Sequence, residues 1–220
     1  MFYKDSENVY RVRPLDAFDW LVHGFGTRVS NNLAKCPNVA TLHQIHSDSV
    51  IAAEGRSGSL GEGDALIENT PGVLVAVKTA DCIPLLIVDP RNRAVAAVHA
   101  GWRGTVRNIA ARAIAELHSK FFSRAEDLHV AIGPGIGKCC YEVGPDVGVQ
   151  FREYDAALRN IAHPVHLDLA EVNRSQITGT GVPSAQIYTA GLCTMCHSEF
   201  HSYRRDKQAA GRMLSVVGVR

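Results

Sequence analysis

The apolar patterning of the chain is organised around the stretch from Thr79 to Gly104. Two apolar runs, Ile83 to Val88 and Ala94 to Val98, flank Asp89-Pro90-Arg91-Asn92, whose Pro and Asn suit a tight turn. Each run has strand length and β-branched content, which predicts an antiparallel hairpin. A symmetric turn centred between Pro90 and Arg91 sets Cys82 directly opposite His99, with Cβ atoms about 4.5–5.5 Å apart. That separation suits two ligands of one metal, for which Zn–S is about 2.3 Å and Zn–N about 2.0 Å. A bulge would change the register.

The same patterning divides the rest of the chain. Gly24-Phe25-Gly26-Thr27-Arg28 reads as a strand end opening into a loop, and that small, polar loop, from about Val29 to Asn38, forms a candidate site rim. Val39 to Ile51 reads as strand-like, and its two histidines, His43 and His46, would face opposite sides of an extended strand. Only one of them can therefore join Cys82 and His99. Residues 55 to 63 hold four glycines and are expected to be a loop. Asp64 to Ile67 and Val73 to Val77 read as strands, the second apolar enough to be buried on both faces.

Beyond the hairpin, Val106, Ile109, Ala110, Ala113, Ile114 and Leu117 share one face of a helix expected over Thr105 to Phe121. Its N-terminus, beside Gly101, Arg103 and Gly104, is a candidate anion cradle. Leu128 to Ile132, Ile187 to Thr189 and Met213 to Val219 read as strands, and residues 145 to 159 and about 168 to 178 as helices. The glycine-rich stretch Gly133 to Gly144 lacks the Lys-Ser/Thr pair of a nucleoside-triphosphate loop. No low-complexity segment or internal repeat interrupts the pattern. One domain over residues 1–220 is expected.

Composition narrows the function. A net charge of +1 gives no electrostatic reason to expect nucleic acid or an acidic membrane surface, and no apolar run is long enough to span a bilayer. The N-terminal residues lack the apolar core of a signal peptide, so a cytoplasmic location is expected. Six cysteines then read as reduced thiols or metal ligands, not as a disulfide framework.

Three ligands, His46, Cys82 and His99, would leave zinc one open position, the arrangement of a catalytic site. Cys82 beside an imidazole could instead be an activated thiolate nucleophile. Asp81 faces away from Cys82 on an extended strand, which weakens a simple Cys-His-Asp triad. Cys193-x-x-Cys196-His197 matches a c-type haem attachment string, but that chemistry requires export. A structural zinc on Cys193 and Cys196 would need two further ligands, with Cys139, Cys140 or His201 available; the default reading is small apolar side chains in a loop. A copper oxidase needs more clustered histidines than the chain offers.

Gln44-Ile45-His46, Thr79-Ala80-Asp81-Cys82-Ile83-Pro84, His99-Ala100-Gly101-Trp102-Arg103-Gly104, the Gly133 to Gly144 loop and Phe200 to Asp206 resemble the YfiH family. That family was long labelled multi-copper polyphenol oxidoreductase, or laccase-like, and is now described as purine nucleoside phosphorylases. The matching motifs run from Gly24 to Gly211. The resemblance implies an α+β fold, layered α/β/β/α with mixed sheets and shared distantly with a bacterial deamidating toxin. It carries zinc ligation to His46, Cys82 and His99. It implies phosphorolysis of adenosine, inosine, guanosine and methylthioadenosine, together with adenosine deamination. Some members act instead as peptidoglycan-editing hydrolases on a nucleotide-linked muramyl-serine.

On that basis, purine nucleosides and phosphate are the expected partners, without nucleic acid or membrane, in a monomer or small homo-oligomer. Arg103 is assigned to phosphate, with Arg28 and Arg204 as further candidates, and Gln44 to substrate. Asp81 is assigned to proton transfer or to orienting a metal ligand, while the zinc would activate the water that deaminates adenine. A Cys-His hydrolase and a non-catalytic metal-binding protein are the competing readings. Two departures from the family pattern stand out: the segment between Arg28 and His43 is short, and His201 occupies a position where Phe is usual.

Overall fold

A computed structural model describes residues 1–30, 33, 36, 38–154, 158 and 163–220. Residues 31, 32, 34, 35 and 37 of the expected rim loop between Val29 and Asn38, and most of the end of the helix expected over 145 to 159, lie outside these described residues. With strands numbered in chain order, one sheet runs β1 (Phe2–Lys4), β2 (Tyr10–Val12), β3 (Leu21–Phe25), β15 (Met213–Val219), β8 (Leu74–Thr79), β4 (Val39–His43), β6 (Gly58–Glu62). The other runs β14 (Ile187–Thr189), β11 (His129–Ile132), β9 (Ile83–Asp89), β10 (Ala94–Ala100), β7 (Ala65–Glu68), β5 (Val50–Ala52). A third, small pairing joins β12 (Glu142–Val143) to β13 (Val165–His166). β4 is parallel to β6 and β8, β5 to β7 and β11 to β14, so both large sheets are mixed. The fold is α+β with mixed sheets, as the resemblance implied.

Alternation along the strands explains why β9 and β10 are buried throughout. Leu86, Val88, Val95 and Ala97 pack with Val75, Val77, Val217 and Val219 of the facing sheet. Ile83, Leu85, Ile87, Ala96 and Val98 point the other way, onto α2 (Ile109–Phe121) and α4 (Leu169–Gly179). The apolar face of α2, Ile109, Ala110, Ala113, Ile114 and Leu117, is the one its periodicity marked. Truncating Leu117 there would cost about 2–5 kcal/mol. Asp168 caps α4 by accepting a hydrogen bond from Glu171 N at 3.0 Å. On the outer face of the first sheet a smaller cluster gathers Val9, Leu33, Ala76 and Val216.

Four expectations are corrected. The Val39 to Ile51 stretch is not one strand: β4 and β5 belong to different sheets, and the chain crosses between them through residues 44–49. Residues 58–62 form β6, an edge strand parallel to β4 in which Gly58 and Gly61 take positive φ, so the glycines shape a strand as well as its turns. The helix after the hairpin is broken. α1 (Trp102–Val106) stops before Asn108, whose left-handed backbone (φ 59) redirects the chain into α2. Residues 145 to 151 hold only α3 (Pro145–Gly148) and a short 3-10 turn. Among the described residues, no helix is long and apolar enough to cross a membrane.

Candidate metal and substrate site

The hairpin exists, but its register differs from the symmetric expectation by two positions. Asp89 pairs with Ala94, leaving a four-residue turn, Pro90 to Arg93, and His99 stands opposite Pro84. Asp89 folds over the turn, accepting from Arg91 N (2.8 Å), Asn92 N (3.1 Å) and Asn92 Nδ2 (2.8 Å), while Arg93 takes a left-handed φ of 48°. A two-residue shift preserves the face of every side chain. Cys82, just ahead of β9, therefore still shares the inter-sheet face with His99. Continued past the paired residues, the register sets Cys82 against Gly101. A Cβ on Gly101 would lie 2.9 Å from His46 Nδ1 and 3.1 Å from Cys82 Sγ. The absent side chain is what lets these groups converge.

His46, Cys82 and His99 each present a ligand atom within 4.8 Å of the others. His46 and His99 have ring centroids 4.9 Å apart. His46 adopts a left-handed φ of 56°, uncommon for a non-glycine residue, and Asp64 holds it there. The fully buried Asp64 carboxylate accepts from His46 N (3.0 Å), Ser47 N (2.6 Å) and Ser47 Oγ (2.7 Å), and it meets His99 Nδ1 at 2.7 Å.

Burial alone would push the Asp64 pKa up, but hydrogen bonds from His99 and Ser47 bring it down to about 2. An ionised Asp64 only accepts, so His99 Nδ1 carries the proton, and Nε2, on the Cys82 side, is the atom available to a metal. Burial lowers His99, and the bonds to Asp64 and then Cys82 outweigh it, raising its pKa to about 9. Burial raises the Cys82 thiol, but the bonds to His46 and His99 win and lower it to about 6. A thiolate-prone sulfur and two oriented imidazoles fit zinc, and three protein donors leave a tetrahedral ion one open position. Sequence reading missed Asp64. Its signal was an acid opening an otherwise apolar strand directly after a glycine loop.

The trio opens onto a cavity of about 710 Å³, within the range of small-molecule sites. Trp102, Tyr141 and Tyr203 supply aromatic surface, and Lys78, Arg204, Lys207 and Arg212 supply positive charge; His43 and Asp81 also line it. Among the expected substrate residues, Gln44 lines the cavity but its amide is committed. Nε2 donates to Lys78 O at 2.8 Å, and Oε1 accepts from Lys78 N at 2.7 Å. Arg204 is well placed: its guanidinium carbon lies 5.4 Å from the Tyr141 ring centroid, and Nη1 donates to Glu142 O at 3.0 Å.

Asp81 lies ahead of β9 with a left-handed φ of 86°. Its carboxylate accepts from Thr194 Oγ1 at 2.7 Å and Arg204 N at 2.6 Å. The carboxylate hydrogen-bonded to one of the expected ligands, His99, is Asp64, whereas Asp81 is bonded to Thr194 and Arg204. Arg28 and Arg103 fall outside the cavity lining. Arg28 binds the Asp206 carboxylate and Phe200 O, and exposed Arg103 lies over the Trp102 ring, 4.3 Å from its centroid. The anion cradle expected at the helix start also weakens, because α1 is only five residues long. His201 takes the ring position beside Gly211, whose N donates to His201 Nδ1 at 3.2 Å.

The family profile described as multi-copper polyphenol oxidoreductase laccase matches residues 26–220. A protein named purine nucleoside phosphorylase from Deinococcus radiodurans is 42% identical over 182 residues, covering 82% of this chain and 70% of that protein. A protein named adenosine deaminase RL5, from an unknown prokaryotic organism, is 38% identical over 161 residues, 70% of this chain and 61% of that one. The crystal structure of a Bacillus licheniformis hypothetical protein, YfiH, superposes with a TM-score of 0.89 at 27% identity, covering 100% of this chain and 99% of that one. Sequence match and fold agree, and the chain belongs to the multi-copper polyphenol oxidoreductase laccase family, alongside YfiH and relatives named purine nucleoside phosphorylase.

Proposed function

We propose that this chain is a zinc-dependent purine nucleoside phosphorylase acting on adenosine, inosine, guanosine and methylthioadenosine, with adenosine deaminase activity. The observation that carries the reading is a His46–Cys82–His99 cluster opening onto a cavity with aromatic walls and a cationic rim. Trp102, Tyr141 and Tyr203 would hold the purine, since aromatic faces stack on any base. Arg204, with Lys207, Arg212 and Lys78, would bind phosphate, a role moved here from Arg103 and Arg28. In phosphorolysis a phosphate oxygen forms its bond to ribose C1′ as the bond to purine N9 breaks, and the purine leaves with the electron pair and takes up a proton. The cationic rim orients the nucleophile, and the aromatic wall holds the leaving group. Asp81 acts as a positioning residue, fixing Arg204 through its backbone N. Zinc held by the trio would supply Lewis acidity and an activated water, the chemistry that deamination at adenine C6 needs.

A second reading is a Cys-His hydrolase, favoured by the Cys82 thiol brought down to about 6 by its bonds to His46 and His99 against the upward push of burial. Incubating adenosine with the protein, with and without phosphate, separates the readings. The phosphorylase yields ribose phosphate and adenine only when phosphate is present. Free ribose at equal rates in both conditions would indicate a hydrolase. Inertness toward every nucleoside, with turnover of a nucleotide-linked muramyl-serine, would indicate peptidoglycan editing.

A further inference from the structure

Four of the remaining cysteines converge away from the His46–Cys82–His99 cluster. Cys139, Cys140, Cys193 and Cys196 present four sulfurs within 4.8 Å of one another, although 52 residues lie between Cys140 and Cys193 in the chain. Cys196 Sγ lies 3.6 Å from Cys139 Sγ and 3.4 Å from Cys140 Sγ. A tetrahedron with Zn–S bonds of about 2.3 Å has edges of roughly 3.8 Å. A disulfide requires about 2.05 Å and would engage one partner of Cys196 only. The alternative nitrogen ligands are turned elsewhere. His201 packs on Gly211, and the His197 ring lies edge-on to Phe200 with centroids 6.4 Å apart.

The backbone is arranged for this convergence. Gly135 bridges Cys193, Thr194 N donates to Gly135 O at 2.9 Å, and Gly137 N donates to Cys193 Sγ at 3.2 Å. Backbone N–H groups directed at a sulfur stabilise its thiolate form. Cys139 and Cys196 are exposed and Cys193 is buried, so an ion could enter from solvent and be gripped from beneath.

We propose that these four cysteines bind a structural zinc ion, separate from the His46–Cys82–His99 cluster. Four protein ligands fill the tetrahedron, so this site has no open position for chemistry. Its effect is mechanical. It clips the loop carrying Ile136 and Tyr141 to the segment carrying Thr194, Tyr203 and Arg204, and both border the substrate cavity. Thr194, between two of the ligands, donates to Asp81. The clip therefore holds the wall against which Arg204 is set.

The test combines zinc analysis of the purified protein with alkylation mapping by iodoacetamide. The wild type should carry about two zinc ions per chain; Cys196→Ser and Cys82→Ala should each lose about one, from different sites. In the native protein, exposed Cys139 and Cys196 should resist alkylation until a chelator removes zinc. Zinc content in Cys196→Ser equal to that of the wild type would overturn the proposal. So would prompt alkylation of Cys139 and Cys196 in freshly purified protein, or a disulfide joining Cys196 to either neighbour. If Cys196→Ser does not fold, the alkylation pattern of the wild type still decides. Loss of zinc from Cys82→Ala alone would leave the catalytic site standing without the clip.

Discussion

Asp64 and His99 are joined by a 2.7 Å contact between Oδ1 and Nδ1, and the same carboxylate accepts the backbone N–H groups of His46 and Ser47. One buried acid thereby sets the tautomer of one histidine and the backbone of another. Asp64→Asn keeps the shape but loses the charge and turns one acceptor into a donor. Zinc affinity should fall about 10–100-fold, and stability by about 1–3 kcal/mol. Chelator competition on the folded protein reads the first effect; unchanged affinity would deny Asp64 its orienting role.

Gly101→Ala isolates a steric effect. The Gly101 backbone, at φ −73° and ψ 167°, is open to alanine, so the chain is not strained. The new Cβ, however, enters the space between His46 Nδ1 and Cys82 Sγ. Zinc and turnover should both drop at least tenfold while the metal-free protein unfolds within about 1 kcal/mol of wild type. Full zinc occupancy in this variant would mean that the cluster tolerates expansion.

Phosphate binding should depend on Arg204 and not on Arg103. Arg204→Ala is expected to raise the KM for phosphate by roughly 10–100-fold, equivalent to losing a charge-assisted contact of about 1.5–3 kcal/mol. Arg103→Ala, which removes only an exposed guanidinium over Trp102, should change it less than about threefold. Equal effects would restore the helix start as the anion site.

His23 gives the fold an acid-sensitive point. Its buried ring accepts a hydrogen bond from Val12 N at 3.0 Å. Burial, and then Arg11, lower its pKa to about 4. The unfolded chain binds a proton at a higher pH than the folded one does, so the stability contribution is complete above about pH 6.5 and is lost as pH falls toward 4. The loss is on the order of 3 kcal/mol. Urea midpoints across that window should slope less in His23→Gln than in wild type; identical slopes would assign the acid sensitivity elsewhere.

Legibility in the sequence followed the range of the forces involved. Strands β9, β10 and β15 were readable because local apolar runs and a turn define them. The meeting of Cys82 with His99 was reached through an incorrect register, and survived because a two-residue shift preserves parity. Asp64 was hidden because its role depends on a loop, residues 45–47, brought from another strand. The four cysteines were legible as candidate ligands but not as a cluster, since their convergence rests on long-range contacts such as the Gly135–Cys193 bridge and the bond from Gly137 N to Cys193 Sγ. Arg103 was assigned by its place at a glycine-flanked helix start, with Arg28 as a further candidate, but the Arg28 guanidinium is held at Asp206 and that of Arg103 lies over Trp102.

The central claim is that His46, Cys82 and His99 act together as ligands of a catalytic zinc. Zinc content and adenosine phosphorolysis, measured on Cys82→Ala, His46→Ala and His99→Ala with folding checked by circular dichroism, test it most directly. Each variant should lose the zinc of this site and nearly all turnover, and combining two substitutions should add little, because the ligands function as a unit. A folded Cys82→Ala protein that keeps its full zinc yet loses all activity, beside an active His46→Ala, would contradict the ligand assignment and make Cys82 a nucleophile.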